Sequence, residues 1–168
     1  MARPKRTEDR PFPWRCGNCG QNQVYPVATP YTTTINYDGR AYEVAVPDLE
    51  LPTCANCGEV VFDNQAGDQI NRALRQQLGL LQPEQIRAGR MELGLNQRDF
   101  GAQLGVAEES VSRWETGAQV QSRVVDRQIR LFFELPAVRT ALSRLDKGEP
   151  VGVTVRVNDA LETNVTVG

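Results

Sequence analysis

The sequence predicts an α+β protein of two domains, a small β-rich domain held by cysteines and an all-α domain of five helices. Two observations lead to this fold class. Four cysteines stand in two separated Cys-x2-Cys pairs with a β-prone segment between them, and the second half repeats apolar residues at helical spacing. A chain of 168 residues is long enough for one ordinary core or two small ones.

The four cysteines are the most specific feature of the first half. They occur in RCGNCG and TCANCG as Cys16, Cys19, Cys54 and Cys57. Each Cys-x2-Cys turn lets two thiolates point at one ion, and two such turns complete a tetrahedral shell. The sequence therefore predicts one structural zinc ion (Zn2+) per chain, without an open position for catalysis. The alternatives are two disulfides, an iron–sulfur cluster and a redox-active pair, and zinc versus iron stays open.

A β-hairpin is predicted between the two cysteine pairs. The segment YTTTINYDGRAYEVAVPDLELPT is rich in Thr, Tyr and Val, and its Asp38-Gly39 step suits a type I′ turn. Residues 16–63 are therefore predicted to form a four-cysteine zinc ribbon. A domain this small cannot build much core, so metal binding is expected to supply folding free energy of order 10 kcal/mol.

The rest of the chain is predicted to be helical up to residue 146. Residues 64–82 are expected to form a connecting helix and linker, because Ile70, Leu74 and Leu78 recur every four residues. Residues 83–146 are expected to contain five helices. Their boundaries are marked by Pro83, Gly94, Asn96, Gly105, Ala107, Gly117 and Pro136.

Two short helices joined at Gly105 are predicted to form a helix-turn-helix, whose second helix lies in a DNA major groove. Val111 and Trp114 are expected to face the core. Arg113 is the main candidate for reading a base, because its guanidinium can donate two hydrogen bonds to guanine. The other candidate DNA contacts are Gln97, Arg98, Glu109, Ser110 and Ser112. An all-α bundle with solvated arginines is the alternative.

Composition excludes several function classes. There is no histidine, which removes histidine-based catalysis and histidine-ligated metals. A closed metal shell and the lack of a phosphate-binding glycine loop also argue against an enzyme. No apolar run approaches a membrane span and no secretory signal is evident, so a cytoplasmic protein without a membrane partner is expected. A net charge of −2 means that DNA contacts must come from a few well-placed arginines.

The string LGLNQRDFGAQLGVAEESVSRWETG resembles an XRE-type helix-turn-helix. Its position after a four-cysteine ribbon resembles the MqsA-type antitoxin family, also called the YgiT-type zinc finger family, over roughly residues 16–145. The resemblance implies an antitoxin of a type II toxin–antitoxin pair, whose zinc domain binds and neutralises a toxin, often an mRNA-cleaving ribonuclease. It also implies a homodimer that binds a palindromic operator in double-stranded DNA, represses its own operon and is then associated with the nucleoid. A stand-alone transcription regulator without a toxin is the alternative.

The resemblance also assigns residues by position. It gives zinc binding to the four cysteines and base reading to Arg113. The family usually carries a second base reader, an Asn one turn earlier, where this chain has Glu109. Glu109 is also spaced to pair with Arg113 at i,i+4. The operator is therefore expected to differ from that of members with the Asn.

Two terminal segments lie outside the resemblance. Residues 1–15 carry five Arg or Lys against two acidic residues, and this tail is expected to become ordered on DNA or a partner, or to have no role. Residues 147–168 alternate Val with polar residues, and Asn158-Asp159 suits a turn. A hairpin is therefore predicted there, either pairing with another copy or packing on the helices.

Overall fold

The computed structural model describes residues 11–149, 151–157 and 161–167, and over this part it confirms an α+β fold with a β-hairpin followed by six helices. The elements are β1 (Val24–Tyr37), β2 (Arg40–Cys54), α1 (Asn64–Leu78), α2 (Pro83–Glu92), α3 (Gln97–Leu104), α4 (Glu108–Glu115), α5 (Arg123–Glu134), α6 (Pro136–Asp146), β3 (Val151–Val157) and β4 (Leu161–Val167). They form two compact units. The first ends at Gln82 and also includes Gly117–Ser122, and the second contains Pro83–Thr116 and the chain from Arg123 onwards.

Strands β1 and β2 form a long antiparallel hairpin that closes at the predicted turn. Tyr37 pairs with Arg40, and the intervening Asp38 and Gly39 have φ angles of 48° and 74°. A type I′ turn requires a positive φ at both central residues. The predicted Asp-Gly turn is therefore confirmed.

Helix α1 packs on the hairpin. The Asp63 carboxylate caps the helix by accepting a hydrogen bond from the Ala66 N–H at 2.9 Å, and Gly79 ends it with a φ of 65°. The apolar side of α1 contributes to two separate clusters. One contains Leu49, Leu51 and Ala66, and the other contains Tyr37, Val44, Leu74 and Leu80. The helix that was expected to connect two domains is thus part of the first unit's core.

The chain returns to the first unit after α4, which differs from the continuous helical domain expected over residues 83–146. Arg75 of α1 is fully buried, and its guanidinium donates to the Gln119 carbonyl at 2.7 Å and to the Gln121 side-chain oxygen at 3.3 Å. The Tyr37 hydroxyl donates to the Gln121 carbonyl at 2.9 Å. A buried guanidinium needs acceptors and an irregular segment needs donors, so each satisfies the other.

Helices α2 to α6 surround a core that is rich in aromatic rings. Phe100 meets Phe132 edge-on at 5.3 Å between ring centroids, and it stacks on Phe133 at 5.6 Å. Gly89 lies against this cluster, because a Cβ there would come within 2.5 Å of the Phe133 ring. The five helices predicted for this region are all present, and the predicted cap at Asn96 is formed.

The C-terminal part of the second unit departs from one expectation. The spacing of Val138, Leu142 and Leu145 predicts a core side for α6, but Leu145 is exposed and the other two are only partly buried. Within this unit α6 lies against α3, α5 and β3, so it is a peripheral helix. Strands β3 and β4 pair antiparallel. The turn predicted at Asn158-Asp159 and residues 1–10 of the basic tail lie outside the described residues.

Candidate metal centre and candidate nucleic-acid interface

The two cysteine pairs fold into turns of the same geometry. Gly20 and Gly58 donate their backbone N–H groups to the carbonyls of Cys16 and Cys54 at 3.0 and 2.9 Å. Both glycines have a φ of 75°, a conformation that other residues adopt only at a cost. The repeated sequences CGNCG and CANCG therefore produce two equivalent loops, each presenting two sulfurs.

The two loops bring the four sulfur atoms together. All of them lie within 4.8 Å of one another, with 3.6 Å between Cys16 and Cys57 and 3.7 Å between Cys19 and Cys54. Four thiolates at about 2.3 Å from a tetrahedral zinc ion are about 3.8 Å apart, so the spacing fits one zinc-sized ion. The four residues are free cysteines, and a cluster with several irons and sulfides would need wider separations. The four cysteines could thus hold a single metal ion.

The sulfurs differ in their ease of ionisation. The backbone N–H of Gln21 and the Asn56 side chain lower the pKa of Cys19 to about 6. The backbone N–H of Glu59 also lowers the pKa of Cys57, but desolvation and the neighbouring sulfurs outweigh it and raise this pKa to about 11. One thiolate therefore forms readily while another is opposed by its neighbours, and a bound cation would remove that opposition.

An asparagine of each turn reaches the sulfur of the opposite turn. The Asn18 side-chain amide lies 3.7 Å from the Cys57 sulfur, and the Asn56 side chain is near enough to Cys19 to lower its pKa. Asn18 and Asn56 occupy the same position in their respective loops. Donors of this kind orient metal ligands and stabilise their charge. Neither asparagine was among the site residues predicted from the sequence, although the asparagine shared by the two motifs was a visible signal.

In the second unit, helices α3 and α4 form a tight helix-turn-helix. A Cβ on Gly101 would lie 2.8 Å from the Val106 carbonyl oxygen, so this contact requires glycine. Gly105 ends α3 with a φ of 72°, and Ala107 begins α4 without a side-chain cap. Because Val111 and Trp114 are buried, the opposite side of α4 faces outward.

The structure places most of the candidate DNA contacts on accessible sides of α3 and α4. Arg98, Glu109 and Arg113 are exposed, whereas Ser110 and Ser112 are half-buried. Within the described residues no ion pair joins Arg113 to Glu109, although their spacing allows one. The Arg113 guanidinium is therefore available on the outer face of the helix.

Gln97 has a partner inside its own unit. Its side-chain amide donates to one carboxylate oxygen of Glu115 at 2.8 Å. Arg90 donates to both oxygens of that carboxylate, at 2.6 and 2.9 Å, and also to the Leu95 carbonyl at 2.6 Å. This network joins α2, α3 and α4. Arg90 and Glu115 were not predicted from the sequence, because neither charged residue carries a local signal that it is buried.

The comparisons with known proteins agree with this arrangement. The model of a protein family described as the antitoxin component of bacterial toxin–antitoxin systems, MqsA, matches residues 14–142. The chain belongs to the MqsA antitoxin family. The resemblance seen in the sequence is therefore confirmed, and the matched range contains both cysteine turns and the whole helix-turn-helix.

Other known proteins add little to the family assignment. No curated protein matches the chain. A solved structure of a candidate DNA-binding protein from Nitrosomonas europaea has 13% sequence identity and a TM-score of 0.37, covering 66% of this chain and 85% of its own. A similarity at this level establishes neither the fold nor the function. No helix in the described part of this MqsA-family chain has the length and apolar character needed to cross a membrane.

The electrostatics of the antitoxin's helix-turn-helix centre on Glu115. Burial alone raises the pKa of Glu115, but the hydrogen bonds from Arg90 and Gln97 outweigh burial and lower it. The same pairing raises the pKa of Arg90. The pair is therefore charged at neutral pH, and it holds the end of α4 against α2 and α3.

Proposed function

We propose that this chain is the antitoxin of a type II toxin–antitoxin pair and acts as a homodimeric repressor without catalytic activity. Its first unit holds one structural zinc ion and neutralises a toxin that is a ribonuclease. Its second unit binds a palindromic operator in double-stranded DNA and represses the operon. The antitoxin therefore works in the cytoplasm, on the nucleoid when bound to DNA. Membership in a family of antitoxins supports the general assignment.

DNA binding by the second unit is supported mainly by one observation: Arg113 points outward from helix α4, and that helix is held firmly in place. Val111 and Trp114 are buried beneath the helix, and the Arg90–Glu115 pair holds its end. A guanidinium presented in this way can form two hydrogen bonds to guanine in the major groove. We propose Arg113 as the main base reader, with the half-buried Ser110 and Ser112 beside it. Glu109 is proposed to accept from a cytosine amino group, and Gln97 and Arg98 to face phosphates.

Replacing Arg113 with alanine tests this role. Arg113→Ala should weaken operator binding by about 1–3 kcal/mol, with little change in the salt dependence that phosphate contacts produce. Arg144→Ala is the matched control, because Arg144 is an exposed arginine of the same unit that pairs with Glu149 at 3.1 Å. Operator affinity measured by fluorescence anisotropy at several salt concentrations gives both quantities. An Arg113→Ala affinity equal to that of the control would remove Arg113 from the proposal.

Exposed apolar side chains on the hairpin support a protein partner for the first unit. Tyr25 pairs with Thr53, and Thr53 also bridges to Val60. Paired residues of neighbouring strands share a face, so Tyr25 and Val60 lie on one face, as does Val27 two residues along. Tyr25, Val27 and Val60 are exposed, as is the nearby Phe62. We name Tyr25, Val27, Val60 and Phe62 the apolar patch.

The net charge of the segment that contains the apolar patch favours a basic partner. Residues 16–82 contain seven acidic residues and three arginines, and one of these arginines, Arg75, is fully buried. A ribonuclease needs a positive surface to hold RNA, so the acidic stretch of residues 16–82 with its apolar patch complements it. This combination supports toxin binding by the first unit more than a stand-alone regulator.

Polar substitution within the apolar patch tests the toxin-binding part. The double variant Tyr25→Ser/Val27→Ser should lose capture of the ribonuclease encoded beside the antitoxin gene and stop inhibiting its RNA cleavage. Metal content and operator binding should stay at wild-type levels. Met91→Ser is the control, because Met91 is an exposed apolar residue of the second unit. Unchanged toxin capture by the double variant would contradict a role of the apolar patch in toxin binding. Wild-type protein that captures no toxin would favour the stand-alone regulator.

A further inference from the structure

Helix α4, which carries the proposed base reader, ends just before a segment of the first unit. The helix ends at Glu115, Thr116 follows as its C-terminal cap, and Gly117–Ser122 is part of the first unit. Gly117 has a φ of 84°, so the chain turns away from the helix in a conformation that suits glycine. The residues that follow α4 are therefore held by the first unit, and we name them the 117–122 segment.

Side chains of α1 and β1 hold the backbone of the 117–122 segment at every second residue. Three of its carbonyl groups accept hydrogen bonds from these side chains. The pairs are Asn71 with Gly117 at 3.3 Å, Arg75 with Gln119 at 2.7 Å, and Tyr37 with Gln121 at 2.9 Å. A segment without regular secondary structure needs such partners for its backbone, so these donors stabilise one conformation of it.

The Gln121 side chain strengthens this attachment. It is fully buried, its amide donates to the Leu81 carbonyl at 2.8 Å, and its oxygen accepts from Arg75 at 3.3 Å. The neighbouring Val120 packs against the apolar cluster that contains Tyr37. A buried amide that is hydrogen-bonded at both ends cannot change its rotamer without losing these bonds. The 117–122 segment is therefore ordered as long as its partners in the first unit are present.

The order of this segment matters for Arg113, because Arg113 lies in the last turn of α4. The last turn of a helix has few backbone partners beyond it and frays unless the following residues are held. Thr116 closes the turn by donating its N–H to the carbonyl four residues earlier at 3.0 Å, and the 117–122 segment follows directly. The Arg90–Glu115 pair holds the same turn from within the second unit. The last turn thus depends on both attachments.

We infer that Tyr37, Arg75 and Gln121 are positioning residues for operator binding, which act on Arg113 through the 117–122 segment. All three are buried, so they act without reaching DNA themselves. The inference rests on the proposed function, in which Arg113 reads a base. An apparent dissociation constant rises as the binding-competent fraction falls, so a last turn that is ordered in one tenth of the molecules weakens binding about tenfold.

Two substitutions test the inference in the full-length protein with its zinc bound. Gln121→Ala removes both side-chain hydrogen bonds and should raise the operator dissociation constant about tenfold. Tyr37→Phe keeps the ring in its cluster, loses only the hydroxyl, and should raise this constant about threefold. Tyr31→Phe is the matched control, because Tyr31 lies on the same strand but packs against the other cluster, around Leu49. Fluorescence anisotropy with a labelled duplex of the antitoxin's own promoter measures all three.

A double-mutant cycle separates positioning from a general loss of stability. In an Arg113→Ala background, Gln121→Ala should weaken operator binding less than about twofold, because the side chain that it positions is already absent. Binding to a duplex of unrelated sequence should be the same in all variants, since phosphate contacts dominate it. A variant that is merely less stable would instead lose affinity equally in both backgrounds and on both duplexes.

Two results overturn the inference. One is operator binding by Gln121→Ala and Tyr37→Phe that equals binding by Tyr31→Phe. The other is a loss of affinity in Gln121→Ala that is as large without Arg113 as with it. Circular dichroism and zinc content identify a variant that does not fold. If Gln121→Ala is such a variant, Tyr37→Phe and its own cycle with Arg113→Ala decide the outcome.

Hydrogen exchange without DNA distinguishes failure of this inference from failure of the proposed function. In Gln121→Ala the amides of residues 113–116 should exchange about tenfold faster than in the wild type, while those around Phe100 stay protected. Faster exchange together with a wild type that binds no operator would keep the link between the segment and α4 but remove the repressor. Unchanged exchange in a wild type that binds its operator would remove the inference and leave the repressor intact.

Discussion

The two units of this antitoxin are stabilised in different ways. The first is a thin hairpin whose apolar residues form three small clusters, around Trp14, around Val44 and around Leu49. The second packs five helices around stacked rings that include Phe100 and Phe132. A two-stranded hairpin offers too little apolar area for a large core. The first unit therefore relies on buried polar contacts and on its candidate metal site, whereas the second relies on packing.

The two units also differ in how each accommodates a buried arginine. In the first unit the buried Arg75 donates to the segment Gly117–Ser122, which has no regular secondary structure. In the second unit the buried Arg90 pairs with a carboxylate and joins three helices. One arginine thus supplies donors to irregular backbone, and the other neutralises a charge within a packed core.

Loss of the metal should produce the largest difference between the units. Cys16→Ser, or zinc removal by a chelator, should cost of order 10 kcal/mol of metal-binding free energy. The strand ends at Val24 and Cys54 should then exchange amide hydrogens freely. Helices of the second unit should keep their protection, because the Phe100 cluster does not involve the cysteines. Hydrogen exchange measured region by region checks this, and one cooperative loss of the whole chain would contradict two separately stabilised units.

Removal of Arg90 should destabilise only the second unit, by a smaller amount. Arg90→Met leaves the Glu115 carboxylate buried without its cation and should cost about 3–5 kcal/mol. Chemical denaturation followed by the fluorescence of Trp114, in a background where Trp14 is replaced by phenylalanine, measures this change. Metal binding by the first unit should not change, which serves as the internal control.

The Arg90–Glu115 pair also determines how the stability of the second unit changes with pH. The pKa of Glu115 is lowered in the folded protein, so its stabilising effect is complete above the unfolded pKa of about 4.3 and is lost as the pH falls through the folded pKa. The wild type should therefore lose stability on the acid side. In Arg90→Met the loss of stability at acid pH should become smaller. Burial raises the pKa of Glu115, and without Arg90 this effect meets less opposition. An identical acid profile in both proteins would show that the pair does not control it.

The smallest expected effect concerns the amide that reaches across the metal site. Asn18→Ala removes a donor near the Cys57 sulfur and should lower metal affinity about 10- to 100-fold without unfolding either unit. Asn22→Ala is the matched control, because Asn22 is an exposed asparagine just beyond the same turn. Competition with a coloured zinc chelator measures both variants. Equal zinc affinities of Asn18→Ala and Asn22→Ala would mean that the Asn18 amide does not stabilise the Cys57 sulfur.

Local features of this protein were predictable from its sequence. The Asp38-Gly39 turn, the glycine-ended cysteine loops and the helix cap at Asn96 all depend on residues that are close in the chain. Sterics and short-range hydrogen bonds decide such features before any tertiary contact forms. The gathering of the cysteines also followed from spacing, because two equivalent turns joined by a hairpin can meet at its base. The sequence by itself therefore determined the fold class and the candidate metal site.

The tertiary structure decided which charged and apolar residues are buried. Arg75, Arg90 and Glu115 look like ordinary helical residues in the sequence, yet each is paired inside its unit with a residue at least 25 positions away. The exposed side of α5 could not be predicted from the sequence either. Leu131 and Phe132 differ little in hydrophobicity, yet Leu131 is exposed and Phe132 is buried. Burial depends on neighbours that are distant in the chain, and a single sequence contains no local signal for them.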